Sequence, residues 1–243
     1  MSELVLSLFP GIGLLDMAFE EEGFCVVRGP DLLWGGDIRR FHPPAGRFDG
    51  VIGGPPCQAF SQMVHMVIQR HGESAVADNL IPEFERCVLA AQPAWFVMEN
   101  VPAAPLPAVA GYVVSDVVLN NRWLGGTQER KRRISFGIRG VSAITLSQYI
   151  EFSIFELAEW HPAIMASRGQ GVKMGSPGKV KKTYNRKPSS VYFADSLRAQ
   201  GLPTDFLAKS PLTSEGKQKV VGNGVPLPMG RAIARAVREA LKL

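Results

Sequence analysis

Short apolar runs alternate with helical patterns over the first 140 residues, and this alternation restricts the fold more than any other feature of the chain. Four apolar runs predict buried strands, at residues 4–8, 24–27, 50–52 and 95–98. Amphipathic patterns at residues 14–22 and 83–91 predict helices between them. This order is typical of an α/β fold, in which helices cover a mostly parallel sheet. Runs at 112–119 and 134–138 predict a hairpin at the sheet edge.

Composition sets broad limits. A chain of 243 residues with 46% hydrophobic and 20% charged residues is an ordinary globular protein, long enough for one domain and a small appendage. Its three cysteines form no Cys-x-x-Cys pair, so we expect neither a disulfide framework nor a metal site. No apolar stretch is long enough to span a bilayer and no signal-peptide pattern precedes the first strand, which predicts a cytoplasmic protein.

The net charge of +5 comes from two basic stretches, at residues 122–139 and 168–187. They suit a polyanionic partner, although a solvated surface explains a single run equally well. Periodicity is lost between residues 140 and 188, and helical patterns resume at 192–200 and 229–241. We therefore predict three parts: a catalytic and cofactor-binding domain (1–139), a small basic insert (140–188) and a C-terminal segment that returns to the first domain (189–243).

Cys57 lies in the run Gly-Gly-Pro-Pro-Cys-Gln-Ala-Phe-Ser, which follows the predicted strand at 50–52. The two prolines restrict the backbone, so the turn would present the thiol at the carboxyl edge of the sheet, where open α/β folds carry their chemistry. A buried cysteine that acts as a small hydrophobic residue is the alternative.

Two further positions carry candidate chemistry. Glu99 closes an apolar run, so burial would raise its pKa and make it a proton donor near neutral pH, unless it only caps the next turn. Arg130 and Arg132 are two residues apart, so in an extended strand they share a face. Together they can hold a phosphate, a carbonyl oxygen or a carboxylate, or they can form an exposed basic edge.

Glycines mark two possible ligand sites. The segment Phe9-Pro-Gly-Ile-Gly13 lies between a predicted strand and helix, where glycine lets a ligand approach the backbone. It lacks the third glycine of a dinucleotide loop, and Asp31 or Asp37 can hold ribose hydroxyls after it. Gly222, Asn223 and Gly224 can all adopt positive φ, which indicates a tight turn that a ligand can approach, unless the segment only leads into the last helix.

Taken in order, these motifs resemble the DNA (cytosine-5) methyltransferases, which use S-adenosylmethionine. The matching segments are Phe9-x-Gly11-x-Gly13, Pro56-Cys57-Gln58, Glu99-Asn100-Val101, Gln128-x-Arg130-x-Arg132 and Gly222-Asn223-x-Val225-Pro226. The resemblance implies a Rossmann-like S-adenosylmethionine-dependent methyltransferase fold with a small basic target-recognition insert. This chain departs from the family in three places: Asp31 and Trp34 are not adjacent, prolines replace a helix at 101–111, and the insert is short.

The family's reaction would transfer a methyl group from S-adenosylmethionine to C5 of a cytosine flipped out of duplex DNA. The resemblance assigns Cys57 to a covalent bond with C6, protonated Glu99 to N3, and Arg132, with Arg130 second, to the O2 carbonyl. Nearby guanidiniums would lower the pKa of the thiol.

The resemblance also assigns binding residues. Cofactor contacts fall to Phe9, Gly11, Ile12, Gly13, Asp31, Asp37, Ile38, Pro56, Leu80, Asn223 and Val225. DNA contacts fall to Gln58, Ser61, Lys181, Lys182 and Arg186. The expected partner is double-stranded DNA, bound by a monomer in the cytoplasm of a bacterium or a phage-infected cell, without a membrane.

Three other functions remain open from the sequence. They are a noncatalytic DNA-binding relative, an RNA methyltransferase on the same scaffold, and a nicotinamide dehydrogenase. The intact set of Cys57, Glu99 and Arg132 argues against the first. The basic insert does not separate DNA from RNA, and the missing third glycine argues against the last. An insert this short would mainly contact phosphates, which predicts a short recognition site or dependence on DNA shape.

Overall fold

A computed structural model describes residues 3–60, 69, 76, 78–140, 144–153, 161–164 and 189–242. Its main sheet contains β1 (Leu4–Leu8), β2 (Cys25–Arg28), β3 (Gly50–Gly53), β4 (Trp95–Asn100), β5 (Tyr112–Asn120) and β7 (Lys131–Arg139). A separate parallel pair joins β6 (Gln128–Glu129) to β8 (His161–Pro162). The helices are α1 (Leu14–Glu21), α2 (Ile81–Ala91), α3 (Ser189–Ala199), α4 (Ser214–Asn223) and α5 (Leu227–Leu241).

The strand order of the main sheet is β2-β1-β3-β4-β7-β5. The first four strands in this order are parallel, whereas β7 runs antiparallel to both β4 and β5. Because β7 is reversed, its first residues lie at the same edge as the carboxyl ends of β1, β3 and β4. The predicted α/β architecture and the edge hairpin are confirmed.

The two faces of the sheet pack against different helices. Alternate residues of β4 point to opposite faces, as the two-residue period of a strand requires. Trp95 and Val97 join α1, α5 and the aromatic ring of Phe19 in one hydrophobic cluster. Phe96 and Met98 join α2 in the other. Burial on both faces explains why the strand is a continuous apolar run in the sequence.

Part of the predicted insert belongs to the core. Leu146 and Ile150 are buried in the cluster that contains α5, and the Ser115 hydroxyl of β5 donates to the Ile144 carbonyl oxygen at 2.6 Å. The C-terminal segment also returns to the first helix, since Arg231 of α5 forms an ion pair with Glu21 at 2.5 Å. The division at residues 140 and 188 remains a prediction.

Two local predictions have different outcomes. Residues 101–111 connect β4 to β5 without a helix, as their prolines predicted. The predicted left-handed turn at residues 222–224 is wrong. Helix α4 continues through Asn223, and Gly224 has φ −67°. Glycine permits a positive φ but does not require it, and here the helix and its carbonyl partners fix the ordinary conformation. Within the described ranges, no helix is both long and apolar enough to cross a membrane.

Candidate active site

Cys57 follows β3 on a turn at the carboxyl edge of the sheet. Its thiol is partly buried, and the Phe60 amide donates to the Cys57 carbonyl oxygen at 3.0 Å to close the turn. Gly54 lies at the base of this turn, where a Cβ atom would come 3.1 Å from Oε2 of Glu99. The turn and the end of β4 are therefore in close contact.

Glu99 and Arg132 meet because of the sheet register. Glu99 of β4 is paired with Ile134 of β7, so the two side chains lie on one face, and Arg132 is two residues from Ile134 on the same face. Arg132 Nε lies 2.6 Å from Glu99 Oε1, and both side chains are largely buried. The argument from burial did not include this contact between Glu99 and Arg132.

Asn100 holds the turn that carries Cys57 against the sheet, a role that sequence reasoning missed. Its buried amide Nδ2 donates to the Pro55 carbonyl oxygen at 3.1 Å, and its Oδ1 accepts from the Val101 amide at 2.8 Å. The sequence offered one signal for this role, which is a polar amide at the end of an apolar strand. A buried amide needs hydrogen-bond partners, so this position indicated a structural contact.

Burial raises the pKa of the Cys57 thiol above its ordinary value. Arg132 lowers this pKa, Glu99 raises it and Arg130 lowers it, in decreasing order of effect after burial. The expected lowering of this pKa by the guanidiniums is present, but desolvation of the thiolate outweighs it, so the net pKa is raised. The free protein should therefore hold Cys57 mainly as a thiol at neutral pH.

Arg130 lies apart from the Glu99 carboxylate. Its guanidinium donates to the carbonyl oxygens of Ile164 at 3.1 Å, Gly222 at 2.9 Å and Gly224 at 3.3 Å. The structure therefore brings Cys57, Glu99 and Arg132 together and directs Arg130 toward the C-terminal segment.

The glycine loop after β1 has an unusual backbone. Gly11 has φ 55°, Gly13 has φ 80°, and Phe9 has φ 56°, a conformation that non-glycine residues rarely adopt. A Cβ atom on Gly11 would meet nothing within 4 Å, so the loop presents its backbone to open space. At Gly13 the positive φ favours glycine, and a Cβ atom there would also displace the Arg28 guanidinium, which lies 2.6 Å away.

Asp31 and Trp34 converge on Gly11 although they are not adjacent in sequence. Asp31 Oδ2 accepts from the Gly11 amide at 2.8 Å, and its Oδ1 accepts from the Leu33 amide at 2.7 Å. The Trp34 indole donates to the Gly11 carbonyl oxygen at 2.8 Å while 62% of the residue stays exposed. Both side chains therefore position the loop, and Trp34 was not among the predicted site residues.

The other predicted cofactor residues lie around this loop. Ile38 and Leu80 are buried in one cluster, against which Phe9 packs. Asp37 accepts from the Arg39 amide at 3.0 Å and caps the short turn that holds Ile38.

The cofactor residues predicted in the C-terminal segment approach the same loop from α4. Gly224 packs against Leu14, since a Cβ atom there would come 2.5 Å from Leu14 Cδ1. Asn223, which is exposed, and Val225, which is buried, therefore lie near the start of α1. Ile12 of the glycine loop is partly buried. Pro56 is partly exposed beside Cys57.

Of the predicted DNA contacts, the structure describes only Gln58, which is exposed one residue after Cys57. Ser61, Lys181, Lys182 and Arg186 lie outside the described residues. Among the described residues, no three His, Cys, Asp or Glu side chains form a group that could hold a metal.

The fold is that of the Rossmann-like methyltransferases, with a glycine loop after β1 and a reversed strand in the sheet. Solved structures share it across the chain. The Entamoeba histolytica methyltransferase EhMeth has a TM-score of 0.64 at 13% identity and covers 100% of both chains. Spodoptera frugiperda DNMT2 has a TM-score of 0.62 at 12% identity and covers 99% of this chain and 100% of its own.

Sequence comparison narrows the class to one family. Residues 35–106 match the family described as C-5 cytosine-specific DNA methylase. Type II methyltransferase M.HgiGI of Herpetosiphon aurantiacus is 32% identical over 125 residues, which are 43% of this chain and 94% of that protein. The chain belongs to this family.

Longer relatives are matched only in part. M.HgiDI of Herpetosiphon aurantiacus is 30% identical over 177 residues, 60% of this chain and 55% of that protein. M.NgoPII of Neisseria gonorrhoeae is 28% identical over 166 residues, 56% of this chain and 48% of that protein. The chain therefore spans about half the length of these two relatives.

Proposed function

We propose that this protein is a DNA (cytosine-5-)-methyltransferase that methylates C5 of a cytosine in duplex DNA. The observation that carries the proposal is the convergence of Cys57, Glu99 and Arg132 at one edge of the sheet, with 2.6 Å between Arg132 Nε and Glu99 Oε1. A thiol, a carboxyl and a guanidinium are the groups that covalent activation of a pyrimidine needs.

Cys57 would act as the nucleophile. C5 of cytosine is a weak nucleophile, and bonding of the Cys57 sulfur to C6 places the electron pair of the C5–C6 double bond on C5. Because the free thiol is held protonated, it must give its proton to solvent before the sulfur adds to C6. After methylation, loss of the C5 proton restores the double bond and breaks the sulfur–C6 bond, which frees Cys57.

Glu99 and Arg132 would neutralise charge on the ring during this step. Protonated Glu99 donates to N3, which takes up negative charge as sulfur adds to C6. Arg132 Nη1 donates to the Lys131 carbonyl oxygen at 2.8 Å, and its Nη2 has no hydrogen-bond partner among the described residues. That nitrogen can donate to the O2 carbonyl of the base.

The glycine loop fits S-adenosylmethionine, because its backbone is open above Gly11 and no side chain fills that space. When bound, this cofactor supplies the methyl group that C5 receives. We assign its contacts to the loop residues Phe9, Gly11, Ile12 and Gly13 and to the surrounding residues Asp31, Asp37, Ile38, Pro56, Leu80, Asn223 and Val225. Asp31 would offer oxygen lone pairs to ribose hydroxyls in addition to its two amide donors.

The substrate would be double-stranded DNA, with the target base swung out of the helix. C5 and C6 are inaccessible within stacked DNA, and the partly buried thiol requires the ring to enter the protein. Exposed Gln58, beside Cys57, is placed to contact the DNA from which the base leaves.

Transfer of labelled methyl groups to duplex DNA tests the proposal, followed by trapping with 5-fluorocytosine oligonucleotides. We expect transfer by the unmodified protein and a covalent adduct at Cys57, with both lost in Cys57→Ser. Cys25→Ser is the matched control, since Cys25 is exposed on β2. Transfer to structured RNA in preference to DNA, or an adduct at another residue, would overturn the proposal.

A further inference from the structure

A cluster of buried polar side chains lies between the candidate active site and the C-terminal segment. Gln128, Arg130 and Gln200 are 0%, 4% and 0% exposed. Gln128 lies in β6 with Arg130 directly after that strand, whereas Gln200 follows α3 and is 72 residues from Gln128 in sequence. The catalytic step proposed above uses none of their contacts.

Arg130 uses its guanidinium on main-chain oxygen atoms. Nη1 donates to the Ile164 carbonyl at 3.1 Å, and Nη2 donates to the carbonyls of Gly222 at 2.9 Å and Gly224 at 3.3 Å. No carboxylate of a described residue lies within 4.0 Å of this guanidinium, in contrast to Arg132. The two arginines of one motif therefore face different partners.

The two glutamines extend the same set of contacts. Gln128 Nε2 donates to the Ala199 carbonyl at 2.7 Å and to Gln200 Oε1 at 3.0 Å, and Gln128 Oε1 accepts from the Ile164 amide at 3.2 Å. Gln200 Nε2 donates to the carbonyls of Val221 at 2.5 Å and Gly224 at 3.3 Å. Arg130 and Gln200 thus hold residues 221–224 through the carbonyl oxygens of that segment.

A buried charge without an ion-pair partner is unfavourable unless hydrogen bonds compensate it. Burial and, second, the nearby charge of Arg132 lower the pKa of Arg130 to about 9, so the group stays charged at neutral pH. A charged donor strengthens its bonds to the carbonyls, and a fully connected buried network favours a single arrangement of the segments that it joins.

We propose that Arg130 is a positioning residue that fixes the segment 222–225 and Ile164 relative to Arg132, and that it does not contact the base. Its effect would pass through Asn223 and Val225, which flank Gly224 and which the proposed function assigns to the cofactor. The inference rests on that function only for the identity of the ligand, since the contacts themselves are part of the protein.

Hydrogen exchange of the ligand-free protein tests the positioning role directly. In Arg130→Lys, the amides of residues 222–227 should exchange about tenfold faster than in the unmodified protein, because a lysine cannot reach three carbonyls from one planar group. Arg132→Lys is the matched control from the same motif and should leave this peptide unchanged. If Arg130→Lys does not fold, Gln200→Met provides the test. This variant removes the amide but keeps the side-chain length, and it should accelerate exchange in the same peptide.

Calorimetric titration with S-adenosylmethionine gives the second readout. We expect the dissociation constant to rise about tenfold or more in Arg130→Lys and Gln200→Met and to change less than twofold in Arg132→Lys. If Arg130→Lys leaves both exchange and cofactor affinity unchanged but abolishes the 5-fluorocytosine adduct, Arg130 contacts the base and the inference is wrong. If the unmodified protein does not bind the cofactor, the proposed function fails, whereas the exchange result still decides the positioning role.

Discussion

The amide of Asn100 donates to the carbonyl oxygen of Pro55 at 3.1 Å and so connects the end of β4 to the turn that carries Cys57. Glu99 is the preceding residue of the same strand. One buried side chain therefore sets the distance between the thiol and the carboxyl, although it carries no chemistry itself.

Replacing Asn100 by alanine should both slow adduct formation at Cys57 and lower the free energy of unfolding. The buried Pro55 carbonyl and Val101 amide lose their partners, which costs about 1–3 kcal/mol each at most. The rate of adduct formation at Cys57 should fall by about 100-fold, since small displacements of a reacting group have effects of this size. Urea unfolding and the trapping rate measure the two effects.

Asn79→Ala is the matched control for this variant. Asn79 also bonds a main-chain amide, that of Ile81 at 3.0 Å, but it lies at the start of α2. It should lose stability without slowing adduct formation. Equal slowing in both variants would mean that the Asn100 effect is a general loss of folded protein.

The alkylation of Cys57 should depend on pH in a way that its neighbours control. Since burial raises the pKa of this thiol, iodoacetamide should react at Cys57 with a midpoint above the usual range for cysteine. Arg132→Gln should move the midpoint up, because that charge lowers the pKa, and Glu99→Gln should move it down. Peptide mass spectrometry distinguishes Cys57 from exposed Cys25. A midpoint below 8 would contradict the expectation, because a free cysteine titrates at about 8.5.

Two carboxylates should give opposite pH dependences of stability. Burial raises the pKa of Asp16, whose Oδ1 accepts from the Ser7 hydroxyl at 2.5 Å and whose Oδ2 pairs with Arg28 at 2.9 Å. A raised pKa in the folded state means that stability is lost as pH rises through that value. Asp16→Asn should therefore equal or exceed the unmodified protein in free energy of unfolding at pH 7, and the difference should vanish below pH 4.

Glu21 provides the control of opposite sign. Its hydrogen bond with Arg231 lowers its pKa, so its contribution is present at neutral pH and lost on acidification. Glu21→Gln should lower the free energy of unfolding at pH 7 by less than about 1 kcal/mol, because the pair is solvent-exposed and screened. Urea titrations from pH 3 to 8 measure both variants, and equal signs would refute the assignment.

Gly224→Ala should strain the contact between α4 and α1. The added methyl group would lie 2.5 Å from Leu14 Cδ1, and overpacking of this kind costs about 1–3 kcal/mol. Leu14→Ala alone should cost about 2–5 kcal/mol by leaving a cavity. The double variant should lose less stability than the sum, because the alanine at 224 then has room. Strict additivity in urea unfolding would show that the two residues do not touch.

The sequence predicted the strands and the edge hairpin because buried strands are continuous apolar runs and amphipathic helices have their own period. It also predicted that Glu99 and Arg132 act together, and the reversed direction of β7 provides the reason. It could not show the bond between Asn100 and Pro55 or that between Gln128 and Gln200, because periodicity reports only local structure. The prediction of a positive φ at residues 222–224 was wrong. Glycine allows that conformation, but the helix and its contacts with Arg130 do not require it.

The pKa of Cys57 likewise depends partly on residues that the sequence identifies and partly on packing that it does not show. The resemblance placed guanidiniums near Cys57, and the lowering of its pKa by Arg132 and Arg130 was anticipated, whereas the opposing effect of Glu99 was not. The dominant influence is the loss of water around the sulfur, which depends on how the turn packs against β4. The roles of the individual site residues therefore remain predictions for the experiments above.

Residues 144–153 pack against β5 and α5. The carbonyl oxygen of Ile164 accepts a hydrogen bond from Arg130. If the predicted insert carries target recognition, a chimera between relatives should keep these residues with the recipient and transplant only 165–188. Grafts cut at residue 140 would deprive the recipient of its own Leu146 and Ile150, and such hybrids should aggregate before any altered target could be tested.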